Sequence, residues 1–163
     1  MTTDRADGGR GGPRRLRVYV SAYPDELAAE RSAAVRAVEQ LRLTPVVGTV
    51  AGTGTGHDLL RALVLGCDMF VGVYAERYGE RDASSGLSDL EAEYLAATDL
   101  PRLVYLREDA PAREPHLAVL VARIQADDTT SYRPFAGKVV VWPFSGFTHG
   151  QALVPKKDGL AFR

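Results

Sequence analysis

The sequence has few of the features that mark specialised classes of protein. It contains one cysteine, Cys67, among 163 residues, so no internal disulfide can form. No apolar run approaches the roughly 20 residues that a transmembrane helix needs. The formal net charge of -1 gives no electrostatic reason to expect nucleic acid or an anionic membrane as a partner. What is present is the composition of an ordinary globular domain, with 45% hydrophobic and 25% charged residues.

The two ends of the chain differ from its middle. Residues 1–15 are rich in glycine and arginine and contain no apolar core, which predicts a disordered arm and not a secretory signal. We therefore expect a cytoplasmic protein with one globular domain over 16–135. No helical stripe is found near the C-terminus, which predicts an irregular tail over 136–163 with room for an extra strand.

Short apolar, β-rich segments predict a sheet. Residues 67–74 form an apolar run between a glycine and a Tyr-Gly pair, which is typical of a strand buried on both faces. The other strands are expected at 16–21, 44–48, 102–106, and either 129–135 or 138–142.

Amphipathic segments between these strands predict four helices. The first is expected to begin at Pro24, because proline suits the first helical position, and the third is expected over 88–98. Thr55 or Asp58 can cap the second, and the fourth follows a loop that contains two prolines. Strands that alternate with helices at short spacing favour a three-layer α/β sandwich with a parallel sheet.

Candidate ligand-binding residues follow the first predicted strand. Ligands of open parallel sheets bind outside the carboxyl ends of the strands. Ser21 ends the first strand and Tyr23 follows it, so Ser21 contacts either a ligand or a backbone group of the turn. Arg31 lies four residues after Leu27, on the inward side of its helix. It could neutralise a phosphate or form an ion pair with a carboxylate such as Glu91 or Asp25.

Two further candidate ligand-binding residues, Tyr78 and Gly79, follow the central strand. Gly79 permits a tight turn, and Tyr78 stacks on either a base or a neighbouring side chain.

Other patterns in the sequence do not predict a phosphate, metal or hydrolase site. The glycine-rich run 52–56 lacks the lysine of a phosphate loop. The three histidines show no metal-ligand spacing, so no metal site is assigned. Without a Gly-x-Ser-x-Gly turn after a strand, no Ser-His-Asp arrangement is expected.

Several of these segments, in their order and spacing, resemble one family. They are residues 18–21, 26–27, 30–31, 67–71, 78–79, 88–91, 93–94 and 97. The sequence resembles the bacterial domain of unknown function 4062 (DUF4062), a relative of Toll/interleukin-1 receptor (TIR) domains and nucleoside deoxyribosyltransferases. The resemblance implies a flavodoxin-like, TIR-like sheet of order 2-1-3-4-5 in a module of signalling or defence proteins. No activity is generally established for that family.

The resemblance also implies a catalytic residue. TIR-type NAD hydrolases and the deoxyribosyltransferases place a glutamate near the start of the helix after the third strand, which here is Glu91. Its carboxylate would stabilise or attack the cationic sugar formed in an N-ribosyl hydrolase or transferase reaction. Alternatively, Ser88 and Glu91 form a capping box, in which Glu91 bonds to the backbone N–H of Ser88. Glu93 is expected on the solvated face of the helix.

Two functions follow as hypotheses. The first is a module that binds a nucleotide derivative such as NAD, as ligand or substrate, between Ser21, Arg31, Tyr78 and Glu91. The alternative is a non-catalytic module that assembles with a second copy or with a partner signalling protein.

The sequence departs from the family pattern near its end. Residues 133–135 look like the start of the family's last helix, but 137–143 do not continue it. An apolar sheet face is therefore expected to be uncovered unless the tail or a second copy packs on it. With no effector domain after it, the chain is expected to be a stand-alone or truncated form of a module usually attached to other domains.

Overall fold

A five-stranded parallel sheet forms the centre of the protein. The computed structural model describes residues 14–48 and 56–136, together with the backbone of 153–156 and 159–162. The strands of the main sheet are β1 (Arg17–Ala22), β2 (Thr44–Val47), β3 (Met69–Tyr74), β4 (Arg102–Arg107) and β5 (Thr130–Phe135). Their order is β2-β1-β3-β4-β5, and all four pairings are parallel. This order confirms the flavodoxin-like prediction, with the run at 67–74 supplying the central strand.

Four helices connect the strands: α1 (Ala28–Gln40), α2 (Gly56–Leu65), α3 (Asp89–Ala96) and α4 (Pro115–Ala126). α1 begins four residues after the predicted Pro24, because residues 24–26 form a turn. In that turn the Glu26 carboxylate accepts hydrogen bonds from the backbone N–H groups of Glu76 and Arg77, at 2.9 and 3.0 Å. Within the described residues, no helix has the length and apolar content needed to cross a bilayer.

Alternate side chains of the strands pack into two apolar layers, as the period of a strand requires. One layer lies under α2, α3 and α4 and includes Tyr19, Phe70 and Tyr94. The other lies under α1 and includes Val20, Val71 and Leu103. Together with the sheet, these helices form the three layers expected from the sequence.

The sheet face under α1 is covered within a single chain. Leu103, Tyr105 and Phe135, on the β4–β5 side of that face, are 4%, 5% and 4% exposed. The alternative fifth strand at 138–142 and the doubtful last helix lie outside the described residues. The tail contains the antiparallel strands β6 (Leu153–Lys156) and β7 (Gly159–Phe162), which is one strand more than expected.

At the amino edge of the sheet, a buried ion pair joins α3, β4 and the turn before β5. The Arg102 side chain is 4% exposed and contacts Asp127 at 2.8 Å. The Arg102 guanidinium lies 4.8 Å from the centroid of the Tyr94 ring, and the Tyr94 hydroxyl donates to Asp127 at 2.8 Å. Hydrogen bonds from Thr129, followed by those from Tyr94 and Thr130, hold the pKa of Asp127 well below its usual range. The Arg102 charge is thereby neutralised within the chain, while its buried Nε atom has no hydrogen-bond partner among the described residues.

We predict that Asp127→Ala lowers the free energy of unfolding by about 2–4 kcal/mol, because it leaves the Arg102 guanidinium buried without its counter-ion. Urea denaturation monitored by circular dichroism measures the change. Asp99→Ala is the matched control, because Asp99 is an exposed aspartate of the loop between α3 and β4. Its free energy of unfolding should stay within about 0.5 kcal/mol of that of the wild type. Equal effects of the two substitutions would contradict a structural role for the ion pair.

Candidate functional site

A buried carboxyl group lies at the carboxyl edge of the sheet. Glu93 on α3 is 7% exposed, so the expectation that it lies on the solvated face is wrong. Its Oε1 accepts a hydrogen bond from the Tyr19 hydroxyl at 2.8 Å, and its Oε2 accepts one from the Ser21 hydroxyl. Leu90 and Ala97, three residues before and four after Glu93, are also buried, which places all three on the inner side of the helix.

Burial changes the protonation of this group. Loss of solvation, opposed by hydrogen bonds from Ser21 and then Tyr19, raises the pKa of Glu93 to about 7. The charge of Asp89 raises this pKa further, while that of Arg31 lowers it. Burial, with the adjacent Glu93, also raises the pKa of Tyr19 above its ordinary value. Near neutral pH, the Glu93 carboxyl therefore occupies both its protonated and its ionised forms.

Two glycines bring the strands close to this carboxyl. A Cβ atom on Gly48, just after β2, would lie 2.5 Å from the Tyr19 hydroxyl and 3.0 Å from Oε1 of Glu93. A Cβ atom on Gly72 of β3 would lie 3.0 Å from the ring of Tyr74, whose hydroxyl is 3.4 Å from Ser21 Oγ. The ends of β1 and β2 thus converge on Glu93, with Tyr74 of β3 beside Ser21. Gly48 has no room for a side chain, and one at Gly72 would have to displace the Tyr74 ring.

Arg31 reaches the same place from the other side of the sheet. Its Nη2 donates to the carbonyl oxygen of Gly48 at 3.0 Å. The predicted ion pair with Glu91 or Asp25 is not formed, and within the described part of the chain Arg31 contacts no carboxylate at ion-pair distance. The Glu91 carboxylate instead contacts Arg123 and Tyr78.

Glu91 belongs to a second polar cluster, between α3 and α4. Its Oε1 accepts from Arg123 Nη1 at 2.7 Å, and its Oε2 accepts from the Tyr78 hydroxyl. The backbone N–H of Ser88 donates to that same hydroxyl at 3.3 Å, while Ser88 Oγ caps the helix by accepting from the backbone N–H of Glu91 at 3.4 Å. The capping box is therefore only half formed, because the Glu91 carboxylate does not return to Ser88.

The loop after β3 positions Tyr78 and Gly79 against neighbouring side chains. The Tyr78 ring lies 5.4 Å from the His116 ring, measured between centroids, with the two ring planes inclined by 32°. Gly79 has φ of +92°, which favours glycine, and a Cβ atom there would lie 3.0 Å from the Tyr23 ring. Glu114 accepts a hydrogen bond from the backbone N–H of Tyr78 at 2.7 Å. The loop is thereby held in one position.

The structure therefore divides the residues that the sequence grouped together. Ser21 and Arg31 lie with Glu93, whereas Tyr78 and Ser88 lie with Glu91. Positions two apart on a helix point to different sides, which separates the two carboxylates. Sequence reasoning missed Glu93, although its spacing from Leu90 and Ala97 was a usable signal.

The described residues show two other features relevant to binding. Among 14–48 and 56–136, no group of three or more histidine, cysteine, aspartate or glutamate side chains could hold a metal ion. A groove of about 690 Å³ lies between α4 and β5. Its lining includes Arg113, Gln125 and Tyr132 but neither Glu91 nor Glu93, so it is separate from both polar clusters.

Comparisons with known proteins identify the family. The model of the domain of unknown function DUF4062 matches residues 17–137. Among solved structures, the chain is similar to the crystal structure of a diflavin flavoprotein A3 from Nostoc sp., with 14% identity and a TM-score of 0.46. That match covers 79% of this chain and 81% of the other. A comparison with curated proteins gave no significant match.

The raised pKa predicts how Glu93→Gln changes the pH dependence of stability. The pKa of this carboxyl is about 7 in the folded state and near its ordinary 4.5 in the unfolded state. Its contribution to stability is therefore complete below about pH 4.5 and is lost as the pH rises through about 7. Glutamine imitates the protonated form at every pH. The melting temperature of the wild type, relative to Glu93→Gln, should fall by roughly 5–10 °C between about pH 5 and pH 8.

Scanning calorimetry of both proteins across this range makes the measurement. Glu39→Gln, the same substitution at an exposed glutamate of α1, should follow the wild type. A constant difference between the wild type and Glu93→Gln would show that Glu93 does not titrate in this window.

Proposed function

The chain belongs to the DUF4062 family, and from that premise we propose that it binds a nucleotide derivative such as NAD at the carboxyl edge of its sheet. In this proposal the ribose adjoining the nicotinamide lies against Glu93. The observation that carries it is the buried Glu93 carboxyl between the hydroxyl groups of Tyr19 and Ser21. The edge position agrees with the rule that open parallel sheets bind ligands beyond the carboxyl ends of their strands.

The Glu93 carboxylate has acceptor capacity left for a sugar. An ionised carboxylate offers about four acceptor positions, and Tyr19 and Ser21 occupy two of them. The hydroxyl groups of a ribose are donors that match the remaining positions, and they reach Glu93 only if the side chains around it move, because Tyr19 and Ser21 are 0% and 1% exposed. Because Glu93 is buried, each such hydrogen bond forms in a medium where it is stronger than in water.

Arg31 supplies the complementary charge for the phosphates of the ligand. It is half-buried, and its hydrogen bond to the Gly48 carbonyl uses one of the five N–H groups of the guanidinium. A guanidinium with donors to spare favours a diphosphate over an uncharged nucleoside. The proposed ligand is therefore a dinucleotide such as NAD.

The same arrangement suits cleavage of the bond between the ribose and the nicotinamide. As that bond breaks, positive charge develops on the sugar, and an adjacent carboxylate stabilises it until water adds. Glu91 is less suited to this role, because Arg123 already neutralises its carboxylate at 2.7 Å. We therefore transfer the catalytic assignment from Glu91 to Glu93, by analogy with the glutamate of TIR-type NAD hydrolases.

A second candidate function is homotypic assembly, and one observation favours it. Three leucines on the outer surfaces of α2 and α3 are largely exposed: Leu59 at 51%, Leu65 at 53% and Leu95 at 40%. α2 and α3 are neighbours in the fold. A contiguous apolar patch marks a surface that binds another protein, and in this second proposal the three leucines belong to one such patch. In that case the Glu93 hydrogen bonds serve only to dock α3 on the sheet.

We predict that a saturating concentration of NAD raises the melting temperature of the purified protein by several degrees, because a ligand that binds only the folded state stabilises it. Glu93→Gln should abolish this shift and any release of nicotinamide. Glu39→Gln is the matched control and should retain both. Glu91→Gln, tested beside them, determines whether the carboxylate chosen from the sequence takes part.

Differential scanning fluorimetry and chromatographic detection of nicotinamide provide the two measurements. Absence of both effects in the wild type would contradict nucleotide binding and leave the assembly function. A sedimentation experiment on Leu59→Ser and Leu95→Ser then tests for a self-association that those substitutions should weaken.

A further inference from the structure

A serine, a histidine and an aspartate form a hydrogen-bonded chain where α2 and α3 begin side by side. The Oγ atom of Ser85 lies 3.1 Å from His57 Nδ1. On the other side of the ring, His57 Nε2 lies 3.2 Å from Asp89 Oδ1. The expectation that the chain contains no Ser-His-Asp arrangement is therefore wrong. The signal was missed because it depends on a contact between residues 28 apart.

One tautomer of His57 allows a proton to pass from Ser85 to the ring. A neutral imidazole has one donor nitrogen and one acceptor nitrogen. In the neutral tautomer in which Nε2 donates to Asp89, which can only accept, Nδ1 keeps its lone pair toward Ser85. In the familiar triads the serine contacts Nε2 and the aspartate contacts Nδ1, so the two nitrogens have exchanged roles here. Either nitrogen can act as the base.

The loop before α3 presents Ser85 to the solvent. Asp82 Oδ1 accepts hydrogen bonds from the backbone N–H groups of Ser84 and Ser85, at 3.0 and 2.8 Å. It also accepts from Ser84 Oγ at 2.5 Å, and these bonds hold the pKa of Asp82 well below its usual range. The Ser85 hydroxyl also donates to Asp82 Oδ1 at 3.1 Å, and Ser85 Oγ accepts from the backbone N–H of Leu87 at 3.3 Å. Activation by His57 therefore requires the hydroxyl to rotate from Asp82 toward His57 Nδ1. Gly86, with φ of +72°, follows Ser85 and completes the turn.

We propose that Ser85 is a nucleophilic serine, activated by His57 and Asp89, that accepts the acyl group of small activated esters. Ser85 is exposed, which fits a small substrate that needs no deep pocket. α3 begins at Asp89, four residues after Ser85, and α2 begins at Gly56, next to His57. In this proposal their first N–H groups, apart from that of Glu91, which Ser88 caps, face the oxyanion. Such groups stabilise an oxyanion. This activity is independent of the nucleotide site.

The reaction proceeds by two displacements. Ser85 Oγ forms a bond to the carbonyl carbon of the ester while its proton passes to His57 Nδ1, and the carbonyl oxygen takes the electron pair. Collapse of this intermediate expels the alcohol, which leaves as an anion or takes the proton from His57. Water then attacks the acylated serine in the same way, and the carboxylic acid and the free serine are released.

Two probes test the proposal on the full chain: a fluorophosphonate, which labels activated serines, and p-nitrophenyl acetate, whose hydrolysis is followed by absorbance. Mass spectrometry should locate the fluorophosphonate on Ser85. Ser85→Ala should abolish both signals, and His57→Gln should lower both rates by about 10²-fold or more, the range for a general base. Ser84→Ala is the matched control, because Ser84 shares the Asp82 turn but does not contact His57, and it should change the rates less than about twofold.

Circular dichroism of each variant verifies folding before the rates are compared. Failure of the folded wild type to acquire label, equal labelling of Ser84 and Ser85, or an unchanged rate in His57→Gln would each overturn the proposal.

Discussion

The hydrogen bonds from Tyr19 and Ser21 to Glu93 are the interaction on which the arrangement of the carboxyl edge depends. They join a helix to the strand next to the centre of the sheet, between residues 74 and 72 positions apart in the chain. Burying a carboxyl group without hydrogen-bond partners would destabilise the folded state by several kcal/mol. The position of α3 is therefore constrained to the place where Glu93 meets the hydroxyl groups of β1. The glycines at 48 and 72 follow from the same constraint, since side chains there would occupy the space that the tyrosines need.

The two glutamates of α3 show how environment divides the roles of identical groups. Glu91 is paired with Arg123 and hydrogen-bonded to Tyr78, so both of its oxygens are engaged by neighbouring side chains. Glu93 has hydroxyl partners and no cation at ion-pair distance within the described part of the chain, and its pKa is raised to about 7. Carboxylates whose surroundings differ in this way take different chemical roles. The group that titrates near neutral pH is the better candidate for chemistry.

The two edges of the sheet are also used differently. At the amino edge, Arg102 and Asp127 neutralise each other and join β4 to the turn before β5. At the carboxyl edge, Arg31 has a backbone carbonyl as its partner, and polar groups from β1, β2 and α3 meet. A parallel sheet favours this division, because only its carboxyl edge combines strand ends with the starts of the following helices. The exposed hydrogen-bonded chain at Ser85 lies where two of those helices begin.

The sequence by itself determined the order of elements, the parallel sheet and its central strand, because these depend on local apolar periodicity and on residues close together in the chain. The family followed from the same short motifs and their spacing. The tertiary structure decided which side chains meet: Glu93 with β1, Glu91 with Arg123, and His57 with Ser85. Those contacts join residues 28 to 74 positions apart, and the direction of a polar side chain on a helix depends on which neighbour can satisfy it. A prediction from apolar periodicity places every charged side chain on the surface. A buried charged side chain such as Glu93 is stabilised by partners that lie near it only in the folded chain.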